Sequence, residues 1–212
     1  MKLKNICCPI CNNEKHVFLY KTDIFSVSKC KRCNFIFLNP VASEEDYYNF
    51  YKSYKNGNKY DEYKIVFRRI KDYISKTGNL LDYGAGSYTG IKFLKKALKS
   101  YNFFTLEFDT CLPDGVCFDV VVMRHVLEHL LDVNSKLEKL HSVMDNDGVL
   151  YVAVPNLNCF NPPLLSNFFR FAHVYYFTRF HLCWLLEKHG FKPLLIDDSS
   201  SEIYGIFKKV IK

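Results

Sequence analysis

The sequence predicts an α/β fold in which a doubly wound sheet follows a small cysteine-rich module. Three observations support this prediction. From residue 79 onward, short apolar runs alternate with a glycine turn and amphipathic segments, as strands and helices do in such sheets. Two Cys-x-x-Cys pairs occupy the first 33 residues. The length of 212 residues and the hydrophobic fraction of 49% suffice for one large core and a small module.

Charge and hydropathy narrow the classes of protein. The formal charge of +7 arises within residues 1–71, which contain 14 Lys/Arg and 7 Asp/Glu. A basic surface of this kind attracts RNA, phosphorylated sugars or acidic protein, although a bias toward Lys, Asn and Tyr would give the same composition. Residues 1–10 lack a secretory apolar region, and Arg and His residues interrupt the apolar stretch 168–186. We therefore expect a cytoplasmic protein with no membrane span.

The cysteine spacing predicts a structural zinc site. Cys8 and Cys11 form one pair, and after an 18-residue gap Cys30 and Cys33 form a second. Each pair places two sulfurs on one tight turn, and two such turns complete a tetrahedral four-cysteine site. Nine cysteines in a cytoplasmic chain argue against a disulfide framework. Because four cysteine ligands leave no open coordination position, we expect this zinc to be structural.

Residues 1–42 are predicted to form a zinc ribbon, and residues 43–77 a helical linker region. The ribbon has too few residues for a core of its own, so zinc is expected to supply much of its folding energy. Apolar and aromatic residues at helical spacing mark the linker helices. The predicted elements are a hairpin of residues 17–21 and 24–28, a strand at 35–40, and helices at 43–54 and 61–76.

Residues 78–212 carry the pattern of the predicted sheet. Residues 79–83 form a buried strand that runs into a turn at Gly84 and Gly86. Glycines allow the backbone to approach a ligand closely, and amides at the following helix start face it, so we expect a ligand at the carboxyl edge of this strand. Further strands are predicted at 118–123, 149–154, 191–196 and 203–207, and helices at 91–99, 133–144 and 178–188.

The last predicted helix begins at the capping residue Thr178 and ends before Gly190. Its buried stripe is predicted to consist of Phe180, Trp184 and Leu185, and its surface or end positions of His181 and His189.

In combination, these segments resemble class I S-adenosylmethionine-dependent methyltransferases. Specifically, they resemble the group with a cysteine-rich N-terminal zinc module that is often associated with sugar and cell-surface polysaccharide modification. The resemblance implies a Rossmann-like doubly wound sheet. It rests on the cysteine pairs, Leu-Asp-Tyr-Gly-Ala-Gly at 81–86, Phe-Asp-Val-Val-Val at 118–122, Leu-Glu-His at 127–129, Gly-Val-Leu-Tyr-Val-Ala-Val-Pro-Asn at 148–156, and residues 173–191.

The resemblance implies a set of residues that bind S-adenosylmethionine. A sulfonium that carries an ammonium group favours a nearby carboxylate and a closely approaching backbone. An acidic residue at the end of the next strand would bind the ribose hydroxyls. The implied residues are Asp82, Gly84 and Gly86 at the methionine end, Glu107 at the ribose, and Met123, Arg124 and His125 beside the cofactor.

Two departures from the family pattern suggest a compacted domain. Tyr88 stands where a third motif glycine is expected, and Gly90 follows two places later. Phe118 comes only 36 positions after Asp82, whereas two strands and two helices need roughly 50. We therefore expect one helix, or one helix and one strand, to be missing or shortened. In a second alignment the ribose strand ends earlier, and Glu107 is then not the ribose acid.

Histidines are the candidate acceptor-side residues, because methyl transfer needs positioning of two partners and removal of an acceptor proton. His173 matches the acceptor histidine in the Tyr-x-Glu-His stretch of sugar C-methyltransferases. Ala172 replaces the glutamate and Arg170 the tyrosine, which favours O- or N-methylation over C-methylation. His129 is the second candidate.

Two alternatives remain open for the Leu-Glu-His segment. Glu128 and His129 could simply cap and orient a loop, and His125, Glu128 and His129 could bind a metal, as in some quinone-type O-methyltransferases. His173 could equally pack in an aromatic patch.

The sequence as a whole predicts a methyltransferase that uses S-adenosylmethionine and a structural zinc and acts on a small molecule. A sugar or nucleotide-sugar hydroxyl or amine is the expected acceptor. An RNA methyltransferase that holds phosphates with the basic ribbon is a second possibility. The third is a degenerate methyltransferase fold that serves as a binding or scaffold protein.

Overall fold

A computed structural model describes residues 3–52, 57–86, 88–107, 112–159 and 169–211. The strands are β1 Leu3–Lys4, β2 His16–Lys21, β3 Ser26–Cys30, β4 Ile36–Leu38, β5 Val41–Ala42, β6 Gly78–Tyr83, β7 Tyr101–Leu106, β8 Phe118–Arg124, β9 Met144–Pro155, β10 Tyr175–Tyr176, β11 Phe191–Asp197 and β12 Glu202–Lys209. The helices are α1 Glu44–Lys52, α2 Tyr60–Ile70, α3 Thr89–Ala97, α4 Val133–Val143 and α5 Arg179–Lys188.

The main sheet has six strands in the order β11-β12-β9-β8-β6-β7. Strands β9, β8, β6 and β7 are parallel, while β12 runs antiparallel to both of its neighbours. The predicted doubly wound α/β sheet is therefore confirmed. The chain moves from β6 to β7 on one side and then to β8 on the other, so the carboxyl ends of β6 and β8 flank a switch point where ligands bind in such sheets.

Each face of the sheet is covered by helices. On one face, α2 and α3 bury Val66, Ile70 and Leu94 against the alternate residues of the central strands. On the other face, α4 and α5 bury Leu137 and Leu185 in a larger cluster. Alternating strand residues point to opposite faces, which explains why the sheet supplies apolar side chains to both clusters.

The ribbon is continuous with the rest of the molecule. Its strands β2, β3 and β4 are joined by β10, so that the four-stranded sheet has the order β10-β4-β3-β2. Val27, Phe35 and Phe37 are buried in the same cluster as Phe118 and Leu185. Apolar contacts with the main sheet therefore stabilise the ribbon, in addition to the folding energy that zinc is expected to supply.

The covering ribbon also explains two incorrect predictions for α5. Phe180 is 64% exposed, and the buried stripe contains Leu182 and Leu186 together with Leu185. His189 lies at the helix end, as predicted, but both His181 and His189 are buried and neither is on the surface. The His181 Nε2 atom lies 2.9 Å from the Cys33 carbonyl oxygen, so this histidine lies at the contact between ribbon and helix.

The connection from β7 to β8 is short, as the sequence indicated. The described residues of this connection are Glu107 and 112–117, and they form neither a helix nor a strand. Strand β7 pairs in parallel with β6 from Gly78 to Tyr83. Because β7 ends at Leu106, the second alignment is wrong and Glu107 directly follows the second strand.

Helix α2 is shorter than its periodicity predicted. It ends at Ile70, and residues 71–77 turn toward β6. Among the described residues, no helix is both long and apolar enough to cross a membrane.

Candidate functional site

A cavity of about 1280 Å³ opens at the carboxyl ends of β6, β7 and β8. One group of lining residues comes from the glycine turn and the strand ends, and includes Gly84, Gly86 and Glu107. A second group comes from α1, from the segment after β8 and from the residues before β10, and includes His129 and His173. The cavity thus brings together five of the seven predicted cofactor residues and both predicted acceptor residues.

The glycine turn has the backbone conformation that the sequence predicted. Gly84 and Gly86 have φ values of +78° and +64°, in the left-handed region that favours glycine. The Gly84 amide donates a hydrogen bond to the Leu106 carbonyl oxygen at 2.7 Å, which ties the turn to the end of β7. A side chain at Gly84 would collide with the Val126 side chain. The turn therefore requires glycine at this position for both conformation and space.

Glu107 lies beside this turn. Its Oε1 atom accepts a hydrogen bond from the Gly86 amide at 2.7 Å. The carboxylate is thereby fixed at the cavity wall at the end of β7. A carboxylate so placed can accept hydrogen bonds from two adjacent hydroxyl groups of a ligand.

Asp82 lies behind the turn and does not line the cavity. Its side chain is fully buried, and its Oδ1 atom accepts a hydrogen bond from the Tyr63 hydroxyl at 2.6 Å. Burial raises the pKa of Asp82 to about 7, although the Tyr63 hydrogen bond opposes the shift. Within the described part of the chain, Oδ2 has no hydrogen-bond partner. Asp82 can therefore act on a ligand only through the turn or by becoming uncovered.

Tyr63 was not identified from the sequence, where it appears as one more residue of an amphipathic helix. Its ring packs directly over Gly90, and a Cβ at that position would collide with the ring. Gly90 thus has a packing role in place of the third motif glycine. Tyr88 adopts a left-handed φ of 56° immediately before α3.

Met123, Arg124 and His125 at the end of β8 differ in their access to the cavity. Met123 is buried and is absent from the cavity wall, because alternate strand residues face opposite sides. Arg124 and His125 line the cavity. Arg124 forms ion pairs with Glu62 at 2.6 Å and with Glu202 at 3.3 Å.

Glu202 of β12 organises the charges at this edge. It contacts Arg69 at 2.8 Å and the His125 Nε2 atom at 3.0 Å, in addition to Arg124. Despite the opposing effect of burial, these hydrogen bonds and charges lower the pKa of Glu202 to about 2. Because Glu202 is 77 residues from His125, no local sequence pattern could have revealed it.

His125 is held as a cation between two carboxylates. Its Nδ1 atom lies 3.3 Å from the Glu128 Oε1 atom, and its Nε2 atom faces Glu202. Burial opposes its charge, but the two carboxylates raise the pKa of His125 to about 9. His125 is therefore protonated at neutral pH and cannot accept a proton from a ligand.

His129 and His173 meet on the other side of the cavity. Their ring centroids are 5.0 Å apart, with the rings edge to face. The His129 Nδ1 atom lies 2.7 Å from the Ala172 carbonyl oxygen, so it donates to this carbonyl and Nε2 carries the lone pair of the neutral ring. Burial lowers the pKa of His173 to about 4, which keeps this imidazole uncharged. The two predicted histidines are thus brought together, although 44 positions separate them.

A family model described as a methyltransferase domain matches residues 58–196 of the chain. The chain belongs to this methyltransferase family. A search of curated proteins found no match.

Solved structures of methyltransferases share the fold of this chain. One is the Burkholderia thailandensis 1,6-didemethyltoxoflavin-N1-methyltransferase, with 15% identity, 92% coverage of this chain, 99% coverage of that chain and a TM-score of 0.54. Another is an amino pentose methyltransferase of Micromonospora echinaspora, with 12% identity, coverages of 78% and 97%, and a TM-score of 0.51. Human N-acetylserotonin methyltransferase shows 15% identity, coverages of 80% and 57%, and a TM-score of 0.54. At these identities the similarity concerns the fold.

The four predicted zinc ligands of this methyltransferase converge on one point. The sulfur atoms of Cys8, Cys11, Cys30 and Cys33 all lie within 4.8 Å of one another. The Cys8–Cys33 and Cys11–Cys30 sulfur distances are 3.4 Å and 3.5 Å. In a tetrahedral site with Zn–S bonds of about 2.3 Å, sulfurs are about 3.8 Å apart, so the cluster has the size that zinc requires.

Hydrogen bonds within the ribbon favour a thiolate at Cys30. The Arg32 amide and the Asn13 side-chain amide donate to its sulfur at 3.4 Å and 3.6 Å. Although burial opposes ionisation, such bonds lower the pKa of Cys30 to about 6. Burial raises the pKa of Cys33 to about 11.

Proposed function

We propose that this protein transfers a methyl group from S-adenosylmethionine to a small-molecule acceptor, a hydroxyl or amine of a sugar or nucleotide-sugar. The observation that carries the proposal is the single cavity that joins the glycine turn and Glu107 to His129 and His173. A cofactor and an acceptor bound in one cavity can be held in line for direct transfer.

The residues around the glycine turn fit the cofactor. Gly84 and Gly86 present backbone without side chains, and the Glu107 carboxylate beside them suits the two ribose hydroxyls. When bound there, S-adenosylmethionine supplies an activated methyl group on a sulfonium. Arg124 and His125 form ion pairs with Glu202, which balances their positive charges at the edge of the cavity.

The size of the cavity supports a small acceptor. Pockets for drug-sized ligands measure roughly 300–1,000 Å³, and 1280 Å³ accommodates a cofactor together with a small molecule. The structural neighbours named above include an enzyme for 1,6-didemethyltoxoflavin and one for an amino pentose, both small molecules.

We assign the activation of the acceptor to His129 and His173. Both line the cavity, and the lone pair on the His129 Nε2 atom is fixed by the hydrogen bond from Nδ1 to Ala172. Glu128 lies beneath them and is buried, yet the neighbouring histidines lower its pKa against the effect of burial.

Calorimetric titration of the zinc-loaded protein with S-adenosylhomocysteine tests the cofactor site. We expect micromolar binding, weakened about tenfold or more by Glu107→Gln, because the mutant loses a charge-assisted acceptor for hydroxyl groups. Glu138→Gln, on the exposed side of α4, is the matched control and should bind as the wild type does. Absence of binding by the wild-type protein would refute the proposal and favour the binding or scaffold alternative.

A further inference from the structure

Glu128, His129 and His173 present a group of potential metal ligands outside the ribbon. One ligand atom from each residue lies within 4.8 Å of the others. The set differs from the one considered from sequence, because His125 is turned toward Glu202 and His173 takes its place. Ligands of a tetrahedral zinc lie about 3.4 Å apart, so a modest rotation of side chains would close the set around an ion.

Glu128 has an unused oxygen in this cluster. The side chain is only 2% exposed, and within the described residues its Oε2 atom has no hydrogen-bond partner. Leaving a buried carboxylate oxygen without a partner is costly, and bound cations commonly satisfy such atoms. Glu128 is also one of the residues that line the cavity.

His129 presents its second ring nitrogen to the Glu128 carboxylate. The His129 Nδ1 atom donates to the Ala172 carbonyl oxygen, and its Nε2 atom lies 3.7 Å from the Glu128 Oε1 atom. Nε2 is therefore the ring nitrogen that can act as a metal ligand beside this carboxylate. A backbone carbonyl that holds the second nitrogen is the usual outer partner of a metal-bound histidine.

The backbone holds the three residues in place. The Val174 amide donates to the Glu128 carbonyl oxygen at 2.8 Å, which fixes the segment with His173 against the segment with Glu128 and His129. The His173 ring contacts the rings of His129 and Tyr176, and one of its nitrogens lies within 4.8 Å of the Glu128 and His129 ligand atoms, so it can serve as the third ligand.

We propose that Glu128, His129 and His173 bind a divalent transition-metal ion, with open coordination positions toward the cavity. One carboxylate and two imidazoles are a ligand set that zinc accepts in catalytic sites. A hydroxyl oxygen of the acceptor could bind the ion at one of the open coordination positions.

The catalytic role of this ion rests on the proposed function. The acceptor hydroxyl oxygen binds the ion, which lowers the hydroxyl pKa, and the proton passes to water. The oxygen lone pair then forms the O–C bond as the C–S bond breaks, and its electron pair stays on sulfur to give a neutral thioether. The two histidines thus activate the acceptor as metal ligands, and the acceptor is narrowed to an alcohol.

Equilibrium dialysis against zinc, followed by elemental analysis, tests the site. We expect the wild-type protein to retain two ions, one in the ribbon and one at this site. The variants Glu128→Gln and His173→Gln should each retain only the ribbon ion. His141→Gln, which removes a histidine from α4 outside the cavity, is the matched control and should bind as the wild type does. Because His173 is half-buried, its variant remains informative if Glu128→Gln fails to fold.

Cobalt substitution distinguishes the two sites. A ribbon-bound ion gives thiolate-to-metal charge-transfer absorption, whereas the second ion should add visible absorption without it. Absence of a second ion in the wild type, or its retention in both variants, would overturn the inference. Titration of the same preparations with S-adenosylhomocysteine separates the cofactor proposal from the metal proposal. If the protein binds S-adenosylhomocysteine but holds no second ion, only the metal site is refuted.

Discussion

Gly84→Ala tests whether the close contact between the glycine turn and Val126 is required. The substitution places a Cβ on a residue with φ of +78° and against the Val126 Cγ2 atom. The left-handed backbone alone costs roughly 1–2 kcal/mol for a residue with a Cβ. Overpacking adds about 1–3 kcal/mol. We therefore expect the free energy of unfolding to fall by about 2–5 kcal/mol.

Gly115→Ala provides the matched control. Gly115 has a similar φ of +71°, but a Cβ there meets no atom within 4 Å. This variant should lose only the backbone contribution of roughly 1–2 kcal/mol. The difference between the two variants therefore measures the contact with Val126.

Urea unfolding of both variants and of Gly84→Ala/Val126→Ala is the assay. The double variant should recover part of the loss, since removal of the valine methyl groups makes space for the new Cβ. Titration with S-adenosylhomocysteine should show weaker binding for Gly84→Ala alone. Equal losses of stability in Gly84→Ala and Gly115→Ala, with no recovery in the double variant, would refute the reasoning.

Three further predictions concern protons and zinc. Tyr63→Phe removes the hydrogen bond to Asp82, so the free energy of unfolding should fall by about 1.5–3 kcal/mol at pH 8, where Asp82 is charged, and by less at pH 5. Glu202→Gln should lower the pKa of His125 from about 9 by roughly 1 unit or more in an NMR titration, because one of its two carboxylates is lost. Zinc removal by a chelator, or Cys8→Ser, should lower the thermal midpoint of the whole chain in one transition, because ribbon and sheet share a core.

The signs of the two pH effects follow from proton binding. The pKa of Asp82 is raised from 3.8 to about 7, so the folded state binds the extra proton and this group reduces stability as the pH rises through that range. The pKa of His125 is raised from 6.5 to about 9, so its contribution is complete below 6.5 and is lost as the pH passes 9.

Each of these predictions has a contradicting outcome. An equal loss at both pH values for Tyr63→Phe would show that the charge of Asp82 is not involved. An unchanged pKa of His125 in Glu202→Gln would show that Glu128 alone holds its charge. A separate early transition on zinc removal would show that the ribbon unfolds independently of the main sheet.

The sequence by itself determined the features that depend on neighbouring residues. Cysteine pairs at fixed spacing produced the four-sulfur cluster, and the glycines after a buried strand produced a left-handed turn at the cavity. The short interval before Phe118 indicated a shortened connection, and its described residues contain no helix, because element lengths limit what 36 positions can contain. Such features follow from local backbone geometry and chain length.

Only the tertiary structure decided which distant side chains meet. Tyr63 covers Asp82 and removes it from the cavity wall, and Glu202 reaches His125 from the other end of the chain. His173 joins Glu128 because β10 docks on the ribbon and carries the preceding residues with it. Contacts of this kind depend on how helices and strands pack around the sheet, and a linear pattern of residue types does not specify that packing.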